Sequence, residues 1–365
     1  MHERHPLSRY GSNERGFTLV ELMIGLVVAL IIVAAAFTAL TGSDRATKIN
    51  DQTAQAQQNV RLAMELISHD IKMAGYGMTT PLPGCNTAIV PGDQNPVGAD
   101  TGPDSVSLVV PITATVAPFW TLNPGVAGPF SQITLSSAQA VNDMATANQP
   151  ASPTLVGATV SIGGVVSQTV QAAAGAGVTL GSTVSAPAAF PANTPVFLLQ
   201  CVQYRVSNLA AECAGSTPCL LRNVNGTVTP ISDGIEDLQI AYACDGCVTA
   251  VNGGVEDRII DDQLAVNGTF DQTDFVSNST WTLAPLTPTS IRLVRVTIVA
   301  RQTQNDEGFG AGRGAPAAAS STPVAIEDHN PVNGIFAAGD YNAATYGQLR
   351  RRTLTRTVEV RNLGL

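Results

Sequence analysis

Residues 17–42 read FTLVELMIGLVVALIIVAAAFTALTG, an apolar run of 26 residues that carries a single charge, Glu21. About 20 apolar residues cross a bilayer as helix, so this run is long enough to span a membrane. A cleaved secretory signal has a shorter apolar region followed by an Ala-x-Ala-like site. Here Ala34–Ala36 is followed by more apolar chain. Residues 1–16 hold Arg4, Arg9 and Arg15 against Glu3 and Glu14, a net charge of +1. A short basic segment ahead of the run fixes that end on the cytoplasmic side, so the chain after residue 42 is expected outside the cytoplasm. Glu21 is the costly residue. A carboxylate at the centre of a membrane helix costs roughly 3 kcal/mol on insertion scales, so it needs a partner or a route to the headgroups.

The sequence around the start of the run, Arg15-Gly16-Phe17-Thr18-Leu19-Val20-Glu21-Leu22, resembles the class III signal of type IV prepilins and type II secretion pseudopilins. The resemblance implies that a prepilin peptidase cuts between Gly16 and Phe17 and methylates the new N-terminus at Phe17. It also implies that Glu21 pairs with the N-terminal amine of a neighbouring subunit. An amine and a carboxylate that neutralise each other are the economical way to carry charge in an apolar filament core. Many pilins have a Pro in the middle of this helix. None occurs here between Phe17 and Tyr76, which leaves Gly42 as the candidate soft point.

After Gly42 the chain turns polar, and good helix formers dominate. Val60, Ala63, Met64, Ile67, Ile71 and Ala74 recur at helical spacing and form one apolar stripe, with Arg61, Glu65, Ser68 and Lys72 off it. Gly75 and Gly77 end the pattern. A single helix from about residue 18 to about residue 74 would be roughly 85 Å long. His69 reads as a helix-surface residue. Arg61, Ala63, Leu66, Asp70, Ile71, Ala74, Gly75 and Tyr76 resemble the pattern R-x-A…L-x-x-D-I…A-G-Y-x-G of the PilW subfamily of minor pilins, with Met78 a small departure.

From Thr79 to Gln200 there is no Lys, Arg or Glu, and the formal charges are Asp93, Asp100, Asp104 and Asp143. The runs SVSLVVPI, QITLS, LVGATVSI, GVVSQTVQ and PVFLLQCVQYRV are β-branched and separated by Gly, Pro, Asn and Asp, which reads as all-β. Ala172–Gly181 reads as a loop or a poor strand. Gly234–Ala243, Ser290–Arg301 and Leu354–Asn362 alternate as strands. In the middle one Ile291, Leu293, Val294, Val296 and Ile298 are expected inside, with Arg292, Arg295 and Arg301 solvated. These three segments resemble the PilW patterns D-G-I-E-D-L-Q-I-x-Y, R-x-V-R-V-x-I-V-x-R and T-V-x-V-R-N. The resemblance covers the first 78 residues and most of 200–365. It implies an α+β, pilin-like fold: a long N-terminal helix, half membrane and half amphipathic, packed on a predominantly antiparallel β head. The expected organisation is a leader (1–16), a membrane or filament-core helix (17–42), its amphipathic continuation (43–78), a low-charge β region (79–200) and a C-terminal sheet region (201–365). Within the last, 302–348 reads as a long Gly/Ala/Pro-rich loop.

The six cysteines are Cys85, Cys201, Cys213, Cys219, Cys244 and Cys247, an even number that suits disulfides in an exported domain. Cys244-Asp245-Gly246-Cys247 follows a strand and precedes a Gly/Asn-rich turn, where a disulfide closing the turn competes with a zinc site shared with Cys213 or Cys219 and with redox chemistry. Cys213 and Cys219 are close enough to pair locally, which leaves Cys85 with Cys201. Glu256, Asp257, Asp261, Asp262, Asp271 and Asp274 cluster in sequence. Asp257, Asp261 and Asp262 are weak Ca²⁺ candidates, because carboxylates suit that ion but no D-x-D-x-D-G loop is present. Asp93, Asp100 and Asp104 carry still less signal.

Net charge is −9 overall and −10 without the first sixteen residues, which argues against nucleic acid as a direct partner. Arg350, Arg351, Arg352 and Arg356 read as a solvated or carboxylate-paired strand face, with an anion-binding patch as the alternative. No G-x-S-x-G or H-E-x-x-H motif occurs, and two of the four histidines lie in the leader. No cofactor is expected and an enzyme is disfavoured. The resemblance implies a non-enzymatic minor pilin that primes type IV pilus assembly, with other minor pilins, the major pilin, prepilin peptidase, the inner-membrane assembly platform and a tip adhesin as expected partners. It implies a single-pass inner-membrane protein with its C-terminal domain in the periplasm, then in the extracellular pilus near the tip. A type II secretion minor pseudopilin and a tip adhesion module are the alternatives.

Overall fold

The computed structural model describes residues 16–93, 100, 102–114, 119–185, 189–215, 218–247, 254–262, 270–282, 284–302, 326–327, 329 and 349–362. The leader before Gly16 and nearly all of the expected 302–348 loop lie outside the described residues. The chain divides into two compact units, residues 1–51 and 52–365. Helix α1 runs Leu19–Met73. In the first unit its apolar side chains are exposed throughout, from Leu19 to Leu40.

The second unit is α+β. In chain order its elements are β1 (Ile89–Gly92), β2 (Ser105–Ile112), β3 (Val126–Ala127), β4 (Phe130–Thr134), helix α2 (Ala138–Asn148), β5 (Thr159–Ile162), β6 (Val166–Ala174), β7 (Gly177–Val184), β8 (Ala189–Phe190), β9 (Val196–Ser207), β10 (Cys219–Val224), β11 (Thr227–Asp233), β12 (Ile235–Cys244), β13 (Ile291–Arg301) and β14 (Arg351–Glu359). A nine-stranded sheet has the order β1-β2-β9-β5-β6-β7-β4, with β10 added on β9 and β11 on β10. A three-stranded sheet has the order β12-β13-β14. Every pairing in both is antiparallel. The central strand β9 runs straight through residue 200, so the expected boundary there does not separate two sheets.

Two large clusters form most of the interior among the described residues. In the first, Val60, Ala63, Met64, Ile67 and Ile71 of α1 pack with Val106, Leu108, Val202 and Tyr204 of the large sheet and Ile240, Val294, Val296 and Ile298 of the small one. Each such side chain, fully buried, contributes about 1.5–3 kcal/mol of transfer free energy. The stripe is therefore what joins helix to sheets. Ser68, placed off the stripe by its polarity, is buried too, whereas His69 is exposed as expected. The second cluster lies between α2 and strands β4–β7, with Met144, Leu155, Ile162 and Val178 at its centre.

Two expectations for the low-charge region change. It contains a helix, α2, capped by the Ser137 side chain, which accepts from Ala140 N–H at 3.1 Å. And Ala172–Gly181 belongs to a hairpin, β6 and β7, paired through Ala173 and Val178.

Candidate functional site

The N-terminal site begins at the helix start. Thr18 N–H and Thr18 Oγ1 both donate to Glu21 Oε2 at 3.0 Å, and Glu21 N–H donates to Thr18 Oγ1 at 3.3 Å. This is a capping box, in which side chains three residues apart satisfy each other's backbone donors. Sequence reasoning took Glu21 as a contact and passed over Thr18. The S/T-x-x-E spacing was the available signal. Gly16 and Phe17 precede the helix, and Phe17 is 86% exposed. The site is thus an exposed Gly16–Phe17 segment, a locally satisfied carboxylate and an exposed helix that is apolar around Glu21 and long enough to cross a membrane.

The other end of α1 is fixed by residues from distant parts of the chain. Asp70 is buried and accepts from Tyr204 Oη at 2.6 Å, with Arg222 Nη2 at 3.4 Å and Arg222 Nε donating to Tyr204 Oη at 3.2 Å. Burial, then the Asp70 charge, pushes the Tyr204 phenol well above its ordinary value. Gly75 (φ +78°) and Gly77 (φ +72°) turn the chain away from the helix. A Cβ on Gly75 would meet the Ala88 Cβ at 2.6 Å, so this turn also needs the bare backbone. Tyr76 stacks edge-on against Phe197 at 5.4 Å. Asn362 Nδ2, near the end of the chain, donates to the carbonyls of Lys72 and Ala74 at 3.2 and 3.3 Å, satisfying two acceptors that a helix C-terminus leaves open. The residues that carried the sequence resemblance at 61–77 and at 357–362 therefore meet.

The small sheet is tied by ion pairs. Arg351 forks onto Glu236 at 2.5 and 2.9 Å, and Arg301 approaches the same carboxylate at 3.7 Å. Burial holds the Arg301 guanidinium below its usual value while Glu236 opposes that shift. Arg352 and Arg356 are exposed, so the basic run is partly paired and partly solvated. Arg295, expected in solvent, is 8% exposed: it forks onto Glu327, bonds Gln272 and lies 4.2 Å over the Phe275 ring. Arg292 and Arg301 are likewise only partly exposed. His329 Nδ1 sits 2.6 Å from Asp237 Oδ2.

Three disulfides close: Cys85–Cys201, Cys213–Cys219 and Cys244–Cys247, with Cα separations of 5.6, 5.6 and 5.9 Å. They are the pairs favoured from spacing, and they leave no cysteine for zinc. In the 256–274 segment Asp257, Asp261, Asp271 and Asp274 bind backbone, while Glu256 pairs with Arg292 at 3.3 Å. Cys247 N–H donates to Asp261 at 2.8 Å, Ile259 N–H to Asp257 at 2.9 Å, and Asp271 and Asp274 form a reciprocal cap. Among the described residues the group whose carboxylates come close enough to share an ion is instead Asp93, Asp100 and Asp104, which sequence reasoning had ranked last.

Residues 203–362 match the family model described as Type IV Pilus-assembly protein W, PilW, and residues 11–37 match the prokaryotic N-terminal methylation motif. No curated protein and no solved structure matches the chain. The matched segments are the exposed helix with its capped start and the strands that hold the helix's far end, and over them the chain is similar to the PilW family of type IV pilins.

Proposed function

We propose that this protein is a minor pilin of PilW type: a structural, non-enzymatic subunit that primes pilus assembly near the filament tip. The observation that carries the reading is the pairing of a PilW match in the head with a methylation motif on an exposed apolar helix. In this reading the Gly16–Phe17 bond is cut and Phe17 is methylated. Glu21 then receives the amine of a neighbouring subunit's first residue. The capping bonds to Thr18 both use Oε2, which leaves Oε1 for that amine. Before assembly the chain is a single-pass inner-membrane protein with its head in the periplasm, an orientation supported by the basic leader. Its partners are other minor pilins, the major pilin, prepilin peptidase, the assembly platform and a tip adhesin.

The test is mass spectrometry of the mature N-terminus together with piliation of a deletion strain complemented by wild type or by Glu21→Ala. The expected result is N-methylated Phe17, loss of surface pili on deletion and no rescue by Glu21→Ala. An intact Met1, a cut at Ala36 or normal piliation of the deletion strain would overturn it. Intact pili with defective protein secretion would move the chain to a type II secretion system.

A further inference from the structure

Segments from four parts of the head close on one cavity. β5 pairs with β9 in a register that sets Thr159 opposite Leu199. Leu82 and Pro83 lie on a turn bridged by Leu82 and Cys85, which the Cys85–Cys201 disulfide ties to β9. The end of α2 brings Asn148 and Gln149. Asn225 and Gly226 form the two-residue turn between β10 and β11, at φ +50° and +86°, the left-handed backbone that so tight a hairpin needs. Hydrogen bonds hold these pieces together. Asn148 Nδ2 donates to Thr154 O at 2.9 Å, Asn225 Nδ2 donates to Asn148 Oδ1 at 3.1 Å, and Gln200 Nε2 pins the helix end to β9 through Ala147 O at 2.9 Å. The cavity they enclose holds about 460 Å³. Small-molecule sites span about 300–1,000 Å³.

No charged side chain lines the cavity among the described residues. A charged ligand entering it would lose hydration and find no counter-charge. The walls offer neutral amides instead, at Asn148, Gln149 and Asn225, beside aliphatic surface at Leu82, Pro83 and Val156. A second observation points to a ligand. Thr159 lines the cavity, is 2% exposed, and its hydroxyl is buried without a hydrogen-bond partner. Native structures seldom leave such a group unpaired. The strand does not require it either, since the β-branched Val has the same shape and an equal preference for a strand. A ligand hydroxyl would satisfy it.

We propose that this cavity binds a neutral saccharide, its hydroxyls meeting the amides of Asn148, Gln149 and Asn225 and the Thr159 hydroxyl, its C–H face resting on Leu82, Pro83 and Val156. A sugar ring carries both chemistries at once. Each of its hydroxyls donates and accepts, and an amide presents a donor and an acceptor side by side, which suits two adjacent hydroxyls. An extended peptide is also neutral and polar, but it binds by adding to a free strand edge. The strands beside the cavity, β5 and β9, are paired on both sides. With aliphatic walls in place of a stacking aromatic ring, the expected affinity is millimolar.

Such binding needs the head alone, so its outcome is separable from the piliation test. The experiment uses the full chain in a detergent without a sugar headgroup. Saturation-transfer NMR and calorimetric titration are run with D-glucose, D-galactose, N-acetylglucosamine and lactose, and separately with anionic N-acetylneuraminic acid and a neutral Gly/Ser tetrapeptide. The expected result is millimolar binding of at least one neutral sugar and none of the last two probes. Val156→Trp, at a position 53% exposed on the cavity wall, should fill the space and abolish binding. Thr146→Ala, on the exposed face of α2, should leave it unchanged. Thr159→Val keeps the side chain's shape and should weaken binding roughly tenfold, the scale of one buried hydrogen bond. It takes no hydrogen bond from the free protein, so it decides the matter if Val156→Trp does not fold. Absence of sugar binding at tens of millimolar, wild-type affinity in Thr159→Val, an equal loss in Thr146→Ala, or binding of the tetrapeptide or N-acetylneuraminic acid in place of the neutral sugars would overturn the assignment.

Discussion

Tyr204 shows how single residues fix the junction between helix and sheet. Its hydroxyl donates to a carboxylate that lies 134 positions earlier on α1, in a place where water cannot substitute. Removing only that oxygen, in Tyr204→Phe, leaves Asp70 buried with Arg222 at 3.4 Å and the His69 ring at 3.2 Å. An unsatisfied buried polar group of this kind costs about 1–3 kcal/mol, more when charged. The expected outcome is a urea midpoint lowered by that amount with an unchanged slope. The same bond has a pH signature. Burial and Asp70 raise the folded-state pKa of Tyr204 above the unfolded value near 10. Its contribution is therefore complete below about pH 10 and is lost as pH climbs toward the folded value. Urea midpoints measured from pH 8 to 11 should fall less steeply for Tyr204→Phe than for wild type. Some slope must persist, because Tyr242 is raised in the same direction by burial. An identical alkaline slope in the two proteins would mean that Tyr204 is not the buried donor.

At the scale of elements, the disulfides differ in what they constrain. Cys85–Cys201 spans 116 residues and ties the chain just past α1 to the central strand β9, whereas Cys213–Cys219 spans 6. On the chain-entropy model the first contributes about 5 kcal/mol and the second about 2 kcal/mol. Replacing both cysteines of each pair by Ser should therefore lower the melting temperature much more for the long bridge, measured by scanning calorimetry without reductant. The reverse order would mean that native strain, not loop closure, sets their value. The long bridge was legible in the sequence because only two cysteines remained after local pairing, and α1 was legible because its stripe keeps one period over fifteen residues, from Val60 to Ala74. The β6–β7 hairpin was not, since Ala172, Ala173 and Ala174 have little strand preference and hold their place only through partners such as Val178. Nor was the burial of Arg295, whose carboxylate partner Glu327 lies 32 positions on. The Asp93–Asp100–Asp104 group was invisible for a similar reason. No ligand spacing marks it, and it exists only because Gly92 pairs with Ser105 and the loop folds back on β12.

For the whole molecule, the division after Asp51 has a consequence for how the protein can be handled. Both buried clusters draw on residues from Val60 onward, and Ala56 is the first buried side chain on α1. The apolar residues from Phe17 to Leu40 are exposed and contribute nothing to either cluster. A chain starting at Gln52 keeps both clusters and discards the exposed apolar side chains from Phe17 to Leu40. It should express as a soluble protein whose near-UV circular dichroism matches that of the full chain in detergent and whose melting temperature lies within a few degrees. A chain starting at Tyr76 keeps all fourteen described strands but loses Val60, Ala63, Met64, Ile67 and Ile71 from the cluster between the two sheets. At about 1.5–3 kcal/mol for each side chain, that loss rivals the whole stability of an ordinary domain, about 5–15 kcal/mol. The shorter fragment should therefore aggregate or lose its near-UV signal. If it folds as well as the longer one, the second half of α1 is not part of the head's core, and the sheets hold together without it. If the chain from Gln52 itself aggregates, residues before Gln52 are needed for folding, and the membrane half of the helix is more than an anchor.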